Sequence, residues 1–119
     1  MQLTTTTRGP LTRTQIARYA SGVRDFNPMH VDEAFATNAG MPSVIAHGPL
    51  SVALVIDVLV EQLGTERLGR VSARLTAPVH PGEELEVVAG EEPGTAELRK
   101  REDGAVAAKV EFELREGTA

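Results

Sequence analysis

The chain has 119 residues, 41% of them hydrophobic and 24% charged, which is the balance of one ordinary globular domain spanning residues 1–119. Its net charge of −5 repels a phosphate backbone and excludes a general nucleic-acid binder. The absence of cysteine excludes disulfides, thiolate catalysis and Cys-ligated zinc.

Along the chain, Gln2 to Thr7 is rich in β-branched threonine and predicts a short strand, broken by Gly9-Pro10. Thr12 and Gln15 form a capping-box pair that opens a helix from Arg13 to about Ser21, with Gly22 as its stop. Asp25-Phe26-Asn27-Pro28-Met29-His30 is excluded from regular helix, because Pro28 drives Asn27 out of the α region. Asp32 caps a short helix through Ala39, and Gly40 ends it. Met41 to His47 is loop.

Gly48-Pro49 then opens the main helix, with proline at the first helical position, and Gly64 ends it after Leu63. This helix is apolar on almost every side, which predicts burial on almost every side. Material to wrap it follows. Leu68–Leu75, Glu84–Glu91 and Thr95–Arg101 read as strands, and Asp103-Gly104 as a two-residue hairpin turn. Val106 to Leu114 alternates apolar and polar residues, the pattern of a strand with one face inward. The expected fold is α+β, an antiparallel sheet wrapped around one long central helix. The longest apolar stretch, Pro49 to Val60, is shorter than the roughly 20 residues a membrane span requires. The first residues lack the apolar core of a signal peptide, so the expected location is cytoplasmic.

Two segments carry chemistry. In Asp25–His30 a carboxylate and an imidazole lie on one irregular loop, where an acid and a base can be aimed at one water molecule. The competing local explanation makes Asp25 a turn cap and His30 a surface residue. In Ala46-His47-Gly48-Pro49, a helix amino end offers unpaired N–H groups, and Gly48 has no side chain to keep a carbonyl oxygen away. Here too the local explanation stands beside the functional one, with Gly48 as a cap and His47 as a structural histidine. His80 reads as surface. Arg99-Lys100-Arg101 reads as a solvated strand face, with a phosphate contact as the alternative. Three scattered histidines make no metal motif, and no Gly-rich phosphate loop or nucleophile elbow is present.

The run Tyr19-Ala20-Ser21-Gly22-Val23-Arg24 before Asp25-Phe26-Asn27-Pro28-Met29-His30, followed by Ala46-His47-Gly48, resembles the MaoC-like, R-specific enoyl-CoA hydratase (hydratase 2) family. The resemblance implies a hot-dog fold and a homodimer or heterodimer of hot-dog subunits joined edge to edge. It also implies a hydro-lyase that interconverts trans-2-enoyl and (R)-3-hydroxyacyl thioesters. Asp25 and His30 would hold the catalytic water, and the Gly48 N–H would receive the thioester oxygen. Asn27 would hold the loop and, with Phe26 and His47, line the substrate site. No metal or redox cofactor is implied, since coenzyme A or the phosphopantetheine of an acyl carrier protein is part of the substrate. Val23-Arg24 stand where relatives often have Ser-Gly, and Pro49 where they often have Met, which leaves the oxyanion contact to Gly48 alone. Arg24 beside Asp25 either meets the carboxylate or points to solvent. With Asp25 and His30 both present, this chain would be the catalytic subunit of any heterodimeric dehydratase, in fatty-acid, polyketide or steroid side-chain metabolism. The alternative within the same fold is an acyl-CoA thioesterase.

Overall fold

The structure is a computed structural model that describes residues 3–115. A short strand β1 (Thr6–Arg8) precedes three helices, α1 (Arg13–Val23), α2 (Pro28–Val31) and α3 (Glu33–Asn38). The long helix α4 (Gly48–Leu63) follows, and then β2 (Leu68–Leu75), β3 (Leu85–Ala89), β4 (Thr95–Lys100) and β5 (Val106–Leu114). The strands form one antiparallel sheet in the order β1-β3-β4-β5-β2. Helix α4 packs against β2, β3, β4 and β5. The expected α+β arrangement, a sheet curved about a central helix, is therefore present. No helix among the described residues is long and apolar enough to cross a membrane.

The core lies between α4 and the sheet. Val55, Val58, Leu59 and Leu63 of the helix meet Leu85 and Val87 of β3, Ala96 and Leu98 of β4, and Ala108 and Val110 of β5. Burial of these aliphatics, worth about 1.5–3 kcal/mol for each large side chain, drives the assembly. The helix is not buried all round. Ala53, Asp57 and Glu61 recur every fourth residue and form a solvent-facing stripe, which the apolar count had masked. Val52, Ile56 and Val60 stay half-buried beside that stripe. Asp57 and Glu61 both pair with Arg8 (3.3 and 2.6 Å), so the polar stripe fastens β1 to the helix.

Several element ends differ from the sequence expectation. The first strand covers Thr6–Arg8 instead of starting at Gln2, which lies outside the described residues. Thr4 bonds instead to the Gln62 side chain. Helix α1 continues through Gly22 and ends on Arg24, which takes the left-handed conformation (φ 58°) expected of a glycine. Pro28 starts the single turn α2 where an irregular loop was expected. Asn27 is extended and caps that turn, so the proline's fixed φ suits a first helical residue. In α4 the first residue is Gly48, with Pro49 second. The β4–β5 hairpin closes at Lys100 and Ala105, leaving a four-residue loop in place of the two-residue turn. Gly104 supplies its one positive φ (74°), and the Asp103 carboxylate accepts from the Ala105 N–H.

The loop from Met41 to His47 carries the second half of the site, and it is tethered from outside. Glu33 of α3 accepts from the Val44 N–H (3.0 Å) and pairs with Arg13 (2.8 Å). The Val44 N–H, aided by the Arg13 guanidinium, holds the Glu33 carboxyl below its ordinary value of 4.5. A carboxyl depressed in the folded state stabilises at pH above its unfolded value and loses that effect as pH falls through the lowered value. Protection of the Val44 amide against hydrogen exchange should therefore drop below about pH 4.5 in the native chain. In Glu33→Gln it should show no such step. A native profile without the step contradicts this tether.

Candidate active site

Helix α1 ends where Arg24 turns the chain, and the Arg24 and Asp25 N–H groups both reach the Ala20 carbonyl. That turn brings Asp25 under the amino end of α4. One carboxylate oxygen, Oδ1, accepts from the Asn27 N–H (3.3 Å), and Asn27 Oδ1 accepts from the Met29 N–H (3.0 Å). The local turn chemistry expected of Asp25 and Asn27 is thus present. The other oxygen, Oδ2, faces His30 Nε2 at 3.9 Å. Arg24 forms no ion pair with Asp25 among the described residues.

His30 lies on α2 with its side chain only 12% exposed. Its Nδ1 lies 2.8 Å from the Ile45 carbonyl oxygen. A carbonyl only accepts, so Nδ1 carries the hydrogen of the neutral ring and Nε2 is left bare toward Asp25. His47 shows the opposite tautomer. Its Nε2 lies 3.0 Å from the Asp25 backbone oxygen and must donate to it, leaving Nδ1 bare, buried and without a partner among the described residues. The His47 ring is 1% exposed, stacks on His30 at 3.7 Å between centroids, and meets Tyr19 at 4.9 Å.

The structure thus brings Asp25, His30 and His47 into one cluster, with one donor atom of each within 4.8 Å of the others. Gly48 follows His47 directly and heads α4, and its N–H has no acceptor among the described residues. Phe26 is 59% exposed and reaches solvent. Asn27 is engaged in the α2 cap. His80, expected at the surface, is half-buried and donates from Nδ1 to the Val44 carbonyl (3.1 Å). The basic run is paired throughout: Arg99 with Glu97, Lys100 with Glu83 and Arg101 with Glu84.

Two contributors had no sequence signal. The Ile45 carbonyl sets the His30 tautomer, and any residue type would supply it. Leu75, at the end of β2, lies over Gly48 so closely that a methyl group there would run into its Cδ1. A side chain at 48 would have to displace the exposed end of Leu75 and would also narrow access to the Gly48 N–H. The cluster is a poor metal cage despite its donors. Histidine binds a cation in the plane of its ring, and two rings stacked with 22° between their planes offer no nearby point common to both.

A hot-dog sheet with an Asp/His cluster at the amino end of its central helix defines the class of protein. The chain belongs to the MaoC like domain family, which matches residues 1–113. It is 36% identical over 74 residues to the (R)-specific enoyl-CoA hydratase of Aeromonas caviae, a match covering 60% of this chain and 54% of that one. It is also 42% identical over 73 residues to the fatty acid synthase beta subunit pkiC of Emericella nidulans. That match takes in 58% of this chain and 4% of the synthase subunit. The chain thus spans about half the length of the hydratase and a small part of the synthase. Among solved structures it resembles the (R)-hydratase from A. caviae involved in PHA biosynthesis (TM-score 0.78, 24% identity, 97% of this chain and 96% of that one). It also resembles the MaoC-like dehydratase from Phytophthora capsici (TM-score 0.80, 25% identity, 98% and 43%). A third likeness is to the ChsH1-ChsH2 complex from Mycobacterium tuberculosis (TM-score 0.72, 20% identity, 97% and 96%). These likenesses establish the hot-dog fold.

The opposed tautomers are measurable. Long-range ¹H–¹⁵N correlation spectra at neutral pH should show His30 protonated on Nδ1 and His47 on Nε2. The same tautomer on both rings contradicts the bonding described.

Proposed function

We propose that this chain is a hydratase/dehydratase that interconverts trans-2-enoyl and (R)-3-hydroxyacyl thioesters of coenzyme A or an acyl carrier protein. The observation that carries this reading is the 3.9 Å separation of Asp25 Oδ2 from His30 Nε2 at the head of α4. Both atoms are acceptors, and the gap is too long for a direct hydrogen bond. One water about 2.8 Å from each fits between them, with its two hydrogens directed at the two acceptors. As its oxygen attacks the β-carbon, one of the pair takes a proton. The pair then returns a proton to the α-carbon from the same side, which makes the addition syn. The thioester oxygen gains negative charge in that step, and the Gly48 N–H at the positive end of α4 stabilises it. Thioester hydrolysis would instead require the water to face the carbonyl carbon. The name of the A. caviae relative supports the enoyl thioester as substrate.

The reading includes a second hot-dog subunit, identical or not, joined along one of the sheet's two edge strands, β1 and β2. Strand β2 is that edge, with Leu75 51% exposed and the half-buried Val52, Ile56 and Val60 on the neighbouring helix. It also places the activity in the cytoplasm.

Asp25→Asn and His30→Gln should each lower hydration of crotonyl-CoA at least about 100-fold, followed by loss of enoyl absorbance, with the melting temperature little changed. Full activity in both variants, or release of free thiol in place of hydration, rejects the assignment.

A further inference from the structure

Helix α4 begins with a poor cap. The N-cap position favours Ser, Thr, Asp or Asn, whose side chains satisfy the helix's own N–H groups. His47 stands there and makes no side-chain cap bond. Its ring is turned away and donates to the backbone of Asp25, 22 residues earlier in the chain. The arrangement also leaves Nδ1 buried and unpartnered among the described residues, a desolvation cost that a residue serving packing alone would avoid.

We propose that His47 is a positioning residue for the Asp25–His30 pair. This inference rests on the hydration chemistry proposed above. Asp25 is half-exposed and lies on a loop, and among the described residues its carboxylate has one other short contact, the Asn27 N–H. Left to itself, that loop could pivot about Arg24. The Nε2–H bond from His47 fixes the Asp25 carbonyl to the rigid 16-residue helix α4. The face of the same ring lies against His30 and limits its tilt. One side chain therefore sets both the distance and the angle at which carboxylate and imidazole meet. Misplacement of a reacting group by about 1 Å can lower a rate about 100-fold, so the lever is large.

The donating atom makes the test specific. Glutamine places an N–H near the position of His Nε2, whereas asparagine reaches only to the position of Nδ1. Phenylalanine keeps a stacking ring and removes the donor. His47→Asn and His47→Phe should lower kcat for crotonyl-CoA hydration about 10- to 100-fold with KM within about twofold. His47→Gln, which keeps the donor and loses only the stacked ring, should restore kcat to within about fivefold of the native chain. Equal losses in the Gln and Asn variants, or no loss in Asn and Phe, overturn the proposal. The His30 ring signals in ¹H–¹⁵N spectra supply a second readout. Both variants lose the ring stacked on His30 and shift its signals, but beyond that shared shift the signals should move further in His47→Asn, where Asp25 is no longer tethered, than in His47→Gln. Identical His30 signals in the two variants also overturn it. If the native chain hydrates no enoyl thioester, the functional reading fails, and the His30 signals still decide the positioning role.

Discussion

Two imidazole N–H bonds hold the site together, and they run in opposite directions between the same two segments. His30, on the first segment, donates to the Ile45 carbonyl on the second. His47, on the second, donates to the Asp25 carbonyl on the first. The Ile45 N–H closes the clasp by donating to the Met29 carbonyl (3.0 Å). Each ring uses its single hydrogen on a backbone oxygen, so each presents a bare nitrogen elsewhere. In His30 that nitrogen faces the carboxylate. The clasp therefore fixes tautomer and geometry together, and the proposed water site depends on both.

The fold supplies what the clasp is anchored to. Helix α4 is held by a layer of aliphatic side chains against four strands, and its amino end cannot move without disturbing that core. Outside the core, Glu33 and His80 both bond to the backbone of Val44 and hold the loop that leads into His47. Val79 accepts from the Ala46 N–H at 2.7 Å and fixes the same loop from the other side. Polar side chains thus do for the loop what apolar ones do for the helix. The Asp25 carboxylate remains half-exposed, as the proposed thioester chemistry requires.

Where local chemistry decides structure, the chain order could be read directly. The Thr12–Gln15 capping box, the Asp32 cap and the alternation from Val106 to Leu114 each depend on neighbours a few residues away. Errors came where two local rules competed. Gly22 has the residue type of a helix stop, but α1 runs on through the exposed Gly22 and Val23, and the left-handed conformation falls to Arg24. Pro28 looked like a breaker and served as a starter, because Asn27 was free to cap it. The central helix looked uniformly apolar because Asp57 and Glu61 were outnumbered, although their four-residue spacing marks a wet stripe.

The sequence by itself determined which residues are the candidates for the chemistry. Asp25, His30 and the His47-Gly48 pair are the polar and conformationally special residues of their segments, and those properties belong to side chains. It also determined the α+β class, through periodicity. Only the tertiary structure decided how the site is held. The Ile45 carbonyl, the reach of His47 back to Asp25, and the seat of Leu75 over Gly48 are long-range contacts. Two of them involve backbone atoms that every residue shares, and such atoms leave no mark in a sequence until the chain is folded around them.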